Sequence, residues 1–164
     1  MANKHLWATP ITANDSTPKE QLGIKRTEWS TTDNCFKSYR YGRAASDTTI
    51  ANGTCLGFSD TLRQVFSSDY NDYDINQVAG VGTGTITANY YGWLQTGGYH
   101  SVVKTDSGDD IVDGDSVIIS SGTTGVCDRT ATAEAAVSNR LGVAVADDID
   151  GDDTVAVFLM IDEV

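Results

Sequence analysis

Histidine, cysteine and proline are scarce in this 164-residue chain, with two, three and two copies respectively. The shortage of histidine bears on nucleophilic catalysis, which sets a base, most often imidazole, beside the nucleophile. His5 lies in a polar N-terminal stretch, and His100 follows Tyr99 in a strand-like run where a structural role is expected. No Gly-x-Ser-x-Gly elbow occurs. Cys35, Cys55 and Cys127 are odd in number and widely spaced, with no Cys-x-x-Cys pair. No disulfide framework or zinc site follows from them, and their strand-like surroundings predict buried free thiols. No apolar run approaches the length that spans a membrane. The first residues also lack a charged-then-apolar signal segment, so a soluble protein made in the cytoplasm is expected. On that expectation the sequons Asn14-Asp-Ser16 and Asn52-Gly-Thr54 carry no sugar.

Positive charge is the other shortage. Eleven Lys and Arg stand against 23 Asp and Glu, for a net charge of −12. Phosphate binding needs concentrated cations, so nucleic acid is not an expected partner. The imbalance is uneven along the chain. Residues 1–43 hold seven bases and four acids, whereas the remainder holds four bases and nineteen acids. Such asymmetry fits one part facing an acidic partner and another facing solvent, or two solvated surfaces.

What the chain does have is glycine, threonine and aspartate, set among short β-prone runs. Residues 1–24 are polar and turn-rich, with Pro10 and Pro18, and read as an extended arm ordered by docking; residues 25–164 read as a β-rich body. "EWSTTDNCFKSYRYGRA" (28–44) alternates with period two, placing Phe36, Ser38 and Arg40 on one side and Lys37, Tyr39 and Tyr41 on the other, and predicts a strand. "TIANGTCLGF" (49–58) predicts a hairpin about Asn52-Gly53. "SDTLRQVF" (59–66) predicts a short helix capped by Ser59 or Asp60. From residue 77 the pattern is strand upon strand, including a hairpin in "DSVIISSGTTGVCD"; only "TATAEAAVSNR" (130–140) suits helix or loop. The last strand is apolar on both faces: Val155, Val157, Leu159 and Ile161 on one, Ala156, Phe158 and Met160 on the other. It is either central or covered by another subunit. The fold class expected is all-β, a compact barrel or sandwich of short antiparallel strands with an extended N-terminal arm and at most one or two short helices.

Motifs that carry chemistry are few. "GVGTGT" (80–85) has Gly-x-Gly-x-Gly spacing and runs into a strand, not a helix, so it predicts a bulge or close strand crossing and not a phosphate cradle. Paired carboxylates suited to glycoside hydrolysis are not picked out by the sequence. Two aspartate clusters, "DDIVDGDSVII" (109–119) and "DDIDGDDTVAV" (147–157), place glycine at the wrong position for a calcium loop and lack the closing Glu. They predict acidic turns that launch strands, with Asp-Gly supplying a positive-φ position. No metal or cofactor is expected, and no catalytic residue is assigned.

Four segments in succession resemble the head decoration (cement) proteins of tailed bacteriophages: "YRYGRA" (39–44), "VAGV" (78–81), "YYGWLQTGG" (90–98) and the Leu-Gly-Val-Ala run at 141–144. The likeness follows the order of elements from about residue 22. It implies a non-enzymatic virion protein on the capsid exterior that binds the phage major capsid protein, commonly as a homotrimer, and reinforces the shell. On this resemblance the residues expected at the capsid are Lys25, Arg26, Trp29, Arg40 and Arg43, and those expected between subunits are Phe158 and Met160. The other reading is a β-rich carbohydrate- or receptor-binding module of a phage fibre or adhesin, with Tyr90, Tyr91 and Trp93 as its platform.

Overall fold

The computed structural model describes residues 7–69, 75–106, 110–130, 139–148 and 153–161. Among the described residues ten strands form one sheet: β1 (Lys25–Ser30), β2 (Cys35–Ala44), β3 (Cys55–Phe58), β4 (Val65–Ser67), β5 (Ile75–Gly82), β6 (Tyr91–Lys104), β7 (Ser116–Ile119), β8 (Cys127–Arg129), β9 (Arg140–Ala144) and β10 (Thr154–Met160). The expected all-β class is what the chain adopts, and no helix of the α type occurs among the described residues.

Two long strands organise the molecule. β2 pairs with β1 along its first half and passes to β4 at Arg43–Ala44, while β6 runs antiparallel to it from Gly97 to Tyr91. β4 continues through β3 and β5 back to β6, so β2, β4, β3, β5 and β6 close a five-stranded ring. The closing contact between β2 and β4 is parallel, unlike the all-antiparallel pairing expected. From the other half of β6 the sheet extends through β10, β9, β7 and β8.

The core divides accordingly. Ile50, Leu56, Phe58, Phe66, Ala79 and Leu94 fill the ring. Val78, Val81 and Cys55 face outward from the ring wall and meet Val103, Val117, Leu141, Val155, Val157 and Leu159 of the extended sheet. The apolar side Val155–Leu159 is thus buried within the chain, while Phe158 is 43% exposed and Met160 half-buried.

Several local expectations give way to side-chain chemistry. The segment at 59–66 is a turn followed by β4, not a helix. The Asp60 carboxylate accepts the Gln64 and Val65 N–H groups at 2.8 Å each, and Arg63 takes φ 57°. Residues 28–44 are two strands, broken where Asn34 turns at φ 53° and the Asp33 carboxylate accepts the Ser30 hydroxyl at 2.7 Å. Asn52-Gly53 does turn, with Gly53 at φ 78°, but Ile50 pairs with Ile86 and not with the strand beyond the turn. Gly82 lies against the Ala51 carbonyl, the close crossing expected of that glycine run. The hairpin of β7 and β8 forms as expected. The expected helix or loop at 130–140 lies largely outside the described residues, as does the glycine of the second aspartate cluster.

Candidate interaction surfaces

The N-terminal segment lies on the chain's own body. Residues 7–24 cover the outside of β2 and β6, where Tyr39, Tyr41 and Trp93 are buried with Trp7, Ile11, Leu22 and Ile24 against them. Trp93 is 0% exposed; its Nε1–H donates to Thr9 Oγ1 at 2.9 Å, and Trp7 meets its ring edge-on at 5.6 Å between centroids. Asp15 bridges to Tyr91, the Asn14 amide and Thr87 exchange two hydrogen bonds, and the Lys19 N–H donates to the Tyr41 hydroxyl. Burial pushes the Tyr39 phenol up to about 12 and raises that of Tyr41. Trp93 therefore cannot stack on a sugar, and the aromatic run at 90–93 is not an open platform.

Arg26 belongs to this packing and not to the surface, contrary to the expectation that it meets a capsid. It is 6% exposed, with its guanidinium carbon 4.5 Å from the Trp93 ring centroid and 5.7 Å from that of Trp7. One nitrogen donates to the Thr9 carbonyl at 2.8 Å and another pairs with Glu28 at 2.9 Å. A cation enclosed by aromatic faces and an ion pair is a structural tie.

The other expected contact residues fall on two sides of the sheet. Strand alternation and the pairing Lys25↔Arg40 put Lys25, Trp29 and Arg40 on one side, with Arg26 and Arg43 on the opposite one. Along the first side Trp29 pairs with Phe36, Ser38 with Gly97, Tyr99 with Phe158, and Phe158 with Val143. This side lines the ring interior at Leu94, and Arg40 lies near that end, 5.4 Å from the Phe58 ring centroid. Past the ring it opens to solvent, where Trp29 is 50% and Phe36 64% exposed and their rings meet edge to face at 4.9 Å. An aromatic row thus crosses β1, β2, β6 and β10, exposed at Trp29, Phe36 and Phe158 and half-buried at Tyr99, and Phe158 and Met160, the residues expected between subunits, lie on it. No single-strand pattern could reveal this, because its members come from four strands.

Beyond β9 the same edge of the molecule is acidic. The Asp113 N–H donates to the Asp147 carboxylate at 2.8 Å, and the Asp148 N–H to the Ile111 carbonyl at 2.8 Å, joining the turn at 110–115 to that at 145–148. Gly114 holds φ 91°, the turn position expected of Asp-Gly. Val112 and Val145 are 47% and 40% exposed on this tip. Among the described residues, no group of three or more His, Cys, Asp or Glu side chains is arranged to hold a metal ion.

The remaining reactive groups are built into the core. Cys55 and Cys127 are buried, and hydrogen bonding to Cys55, with burial, raises the Cys127 thiol. Cys35 is only partly buried. Burial holds the His100 imidazole below its usual value. Its Nε2–H donates to the Gly82 carbonyl at 3.2 Å and Nδ1 accepts the Val102 N–H at 3.3 Å, so the neutral ring is satisfied on both sides. The unfolded chain takes up this proton near pH ~6.5, the folded chain only at lower pH. The stabilising contribution is therefore whole above about pH 6.5 and lost as pH falls toward the folded value. The Tm of the protein is expected to fall across that range more steeply than that of His100→Gln, which cannot titrate; parallel pH profiles would count against the assignment.

No family model matches the chain, and no curated protein matches it. Among solved structures it is similar to the head fiber gp8.5 N base in bacteriophage phi29, at 18% identity and a TM-score of 0.49, over 74% of this chain and 92% of that one.

Proposed function

We propose that this chain is a structural virion protein that binds the outer surface of a phage major capsid shell and stabilises the head. What supports the reading is where the four segments resembling decoration proteins lie. "YRYGRA" is in β2, "VAGV" in β5 and "YYGWLQTGG" begins β6, and these three strands are bonded neighbours in the closed ring; the Leu-Gly-Val-Ala run is β9. The resemblance thus follows the frame of the fold and not scattered loops. A ring tied across by its own N-terminal segment suits a staple that must not deform. Each copy would bind the assembled shell and not its separate parts, so that binding favours assembly by mass action.

On this reading the shell side is the one covered by residues 7–24, with Lys19 exposed on it and Arg43 on the same side of β2. Heads lacking the native protein are the test. The chain is expected to saturate them at a fixed ratio in co-sedimentation, and Lys19→Glu combined with Arg43→Glu to bind roughly tenfold more weakly. Absence of binding by the unaltered chain would overturn the reading. Unchanged binding by the double variant would overturn the choice of side.

A further inference from the structure

We infer that two copies of this chain pack face to face through the exposed aromatic side of the sheet, about a twofold axis that sets the basic corner of each against the acidic tip of the other. This goes beyond the shell reading and does not rest on it.

The first observation is the open face itself. Trp29, Phe36, Tyr99 and Phe158 form a row across four adjacent strands, with Met160 beside it. Strands lie ~4.8 Å apart, so with Val143 on β9 the row crosses roughly 20 Å. A sheet face of this size and apolar content packs well against another sheet face.

The second observation says what covers it. On this side of β1 and β2 the charged residues are Lys25 and Arg40, both bases, whereas Arg26 and Lys37 lie on the other side and pair with Glu28 and Asp33. At the far end, the turns at 110–115 and 145–148 hold Asp110, Asp113, Asp115, Asp147 and Asp148 against one base, Arg129, whose guanidinium donates to the Asp110 carbonyl at 3.2 Å. Four antiparallel pairings separate β1 from β9, so these strands run in the same direction. Lys25 begins β1 and the acidic tip follows the end of β9. The two charges therefore lie at diagonally opposite ends of the sheet. Val145 continues this side of β9, because its N–H donates to the Ala156 carbonyl next to the pairing of Val157 with Ala144.

A second copy turned about an axis in the plane of the face, perpendicular to that diagonal, satisfies both corners at once and covers the whole row. Such an isologous contact is self-complementary. A head-to-tail contact would join one pair of corners and leave much of the row wet. The covered patch, on the order of 500 Å² per copy, is at the small end for a specific interface and predicts weak, reversible association. The resemblance to decoration proteins implies three copies; this face implies two.

Sedimentation equilibrium on the purified chain tests the inference. A monomer–dimer equilibrium is expected, weakening as salt rises from ~0.1 to ~0.5 M and the Debye length falls from about 10 Å to about 4 Å. Phe158→Glu is expected to weaken it at least about tenfold, the scale of a central aromatic. If that variant misfolds, charge reversal replaces it: Lys25→Glu with Arg40→Glu, and Asp113→Lys with Asp147→Lys, should each impair self-association, whereas mixing the two variants, or combining all four changes in one chain, should restore a dimer. A chain that stays monomeric into the millimolar range, assembles beyond two copies, or gains nothing from mixing would overturn the inference. Shell binding is measured separately on heads, so either idea can fail alone.

Discussion

Trp93→Ala is expected to cost about 3–5 kcal/mol of folding stability, the range for truncating a buried tryptophan. That is a large fraction of the roughly 5–15 kcal/mol that holds a domain folded. The residue is enclosed by Tyr41 at 5.0 Å between ring centroids, by Trp7 edge-on, and by the Arg26 guanidinium on its face. Removing the indole leaves Arg26 over a cavity and frees Thr9 from its 2.9 Å hydrogen bond. The damage should therefore spread to the N-terminal segment, which rests on this ring. Limited proteolysis is expected to cut within residues 7–24 of the variant at denaturant concentrations that leave the unaltered chain intact. Trp93→Phe keeps most of the ring but loses the N–H donor, and about 1–2 kcal/mol is expected there. Urea unfolding of both variants separates packing from the hydrogen bond. A Trp93→Ala chain of normal stability that has lost a sugar-binding signal would instead restore the platform reading.

The same packing explains why the sequence does not tell where residues 7–24 dock. The segment is polar and proline-bearing, without a strand period, so non-repetitive chain could be read directly. Its anchors are single residues, Trp7 and Thr9 among them, whose partners sit more than eighty positions away at Trp93. A local pattern cannot encode that. Arg26 was misplaced for a related reason. A cation in an exposed-looking strand reads as solvated until the aromatic rings that enclose it are brought together by β2, β6 and residues 7–24.

Period two, by contrast, transmits well. The alternation from Phe36 to Tyr41 matches the two sides of β2, and the doubly apolar β10 is buried on one side and half open on the other. Where polar side chains compete with the backbone, the pattern fails. Asp60 looked like a helix cap and instead closes a tight turn, because its carboxylate takes the two N–H groups that a helix would have bonded to the backbone carbonyls four residues earlier. The closure of the ring through a two-residue parallel contact was not legible either, since nothing in Val65–Ser67 marks it as parallel. The aromatic face shares this property: each member looks like an isolated exposed residue until register aligns them.

Register at that face depends on Gly98, and Gly98→Ala is expected to destabilise the fold by about 2–4 kcal/mol, combining left-handed strain with overpacking. The residue sits at φ 82° in the middle of β6, and an added Cβ would lie 3.1 Å from the Phe36 carbonyl carbon and closer still to its oxygen. Both are backbone atoms of β2, so no side chain can swing away. The bend is held from the other direction by Gln95, whose side-chain amide reaches the carbonyls of Gly97, Gly98 and Tyr99 at 3.1, 3.3 and 3.0 Å. Forcing β2 away at Phe36 would separate Trp29 and Phe36 from Tyr99 and Phe158, so dimerisation should weaken along with stability. Gly114→Ala provides the control: Gly114 has φ 91°, but nothing lies within 4 Å of an added Cβ. There only the backbone strain remains, about 1–2 kcal/mol. Equal losses in the two variants would mean that the close approach of Phe36 to Gly98 does not set the register of the face. A clear excess for Gly98→Ala, accompanied by weaker self-association, would tie the bend in β6 to the surface it aligns.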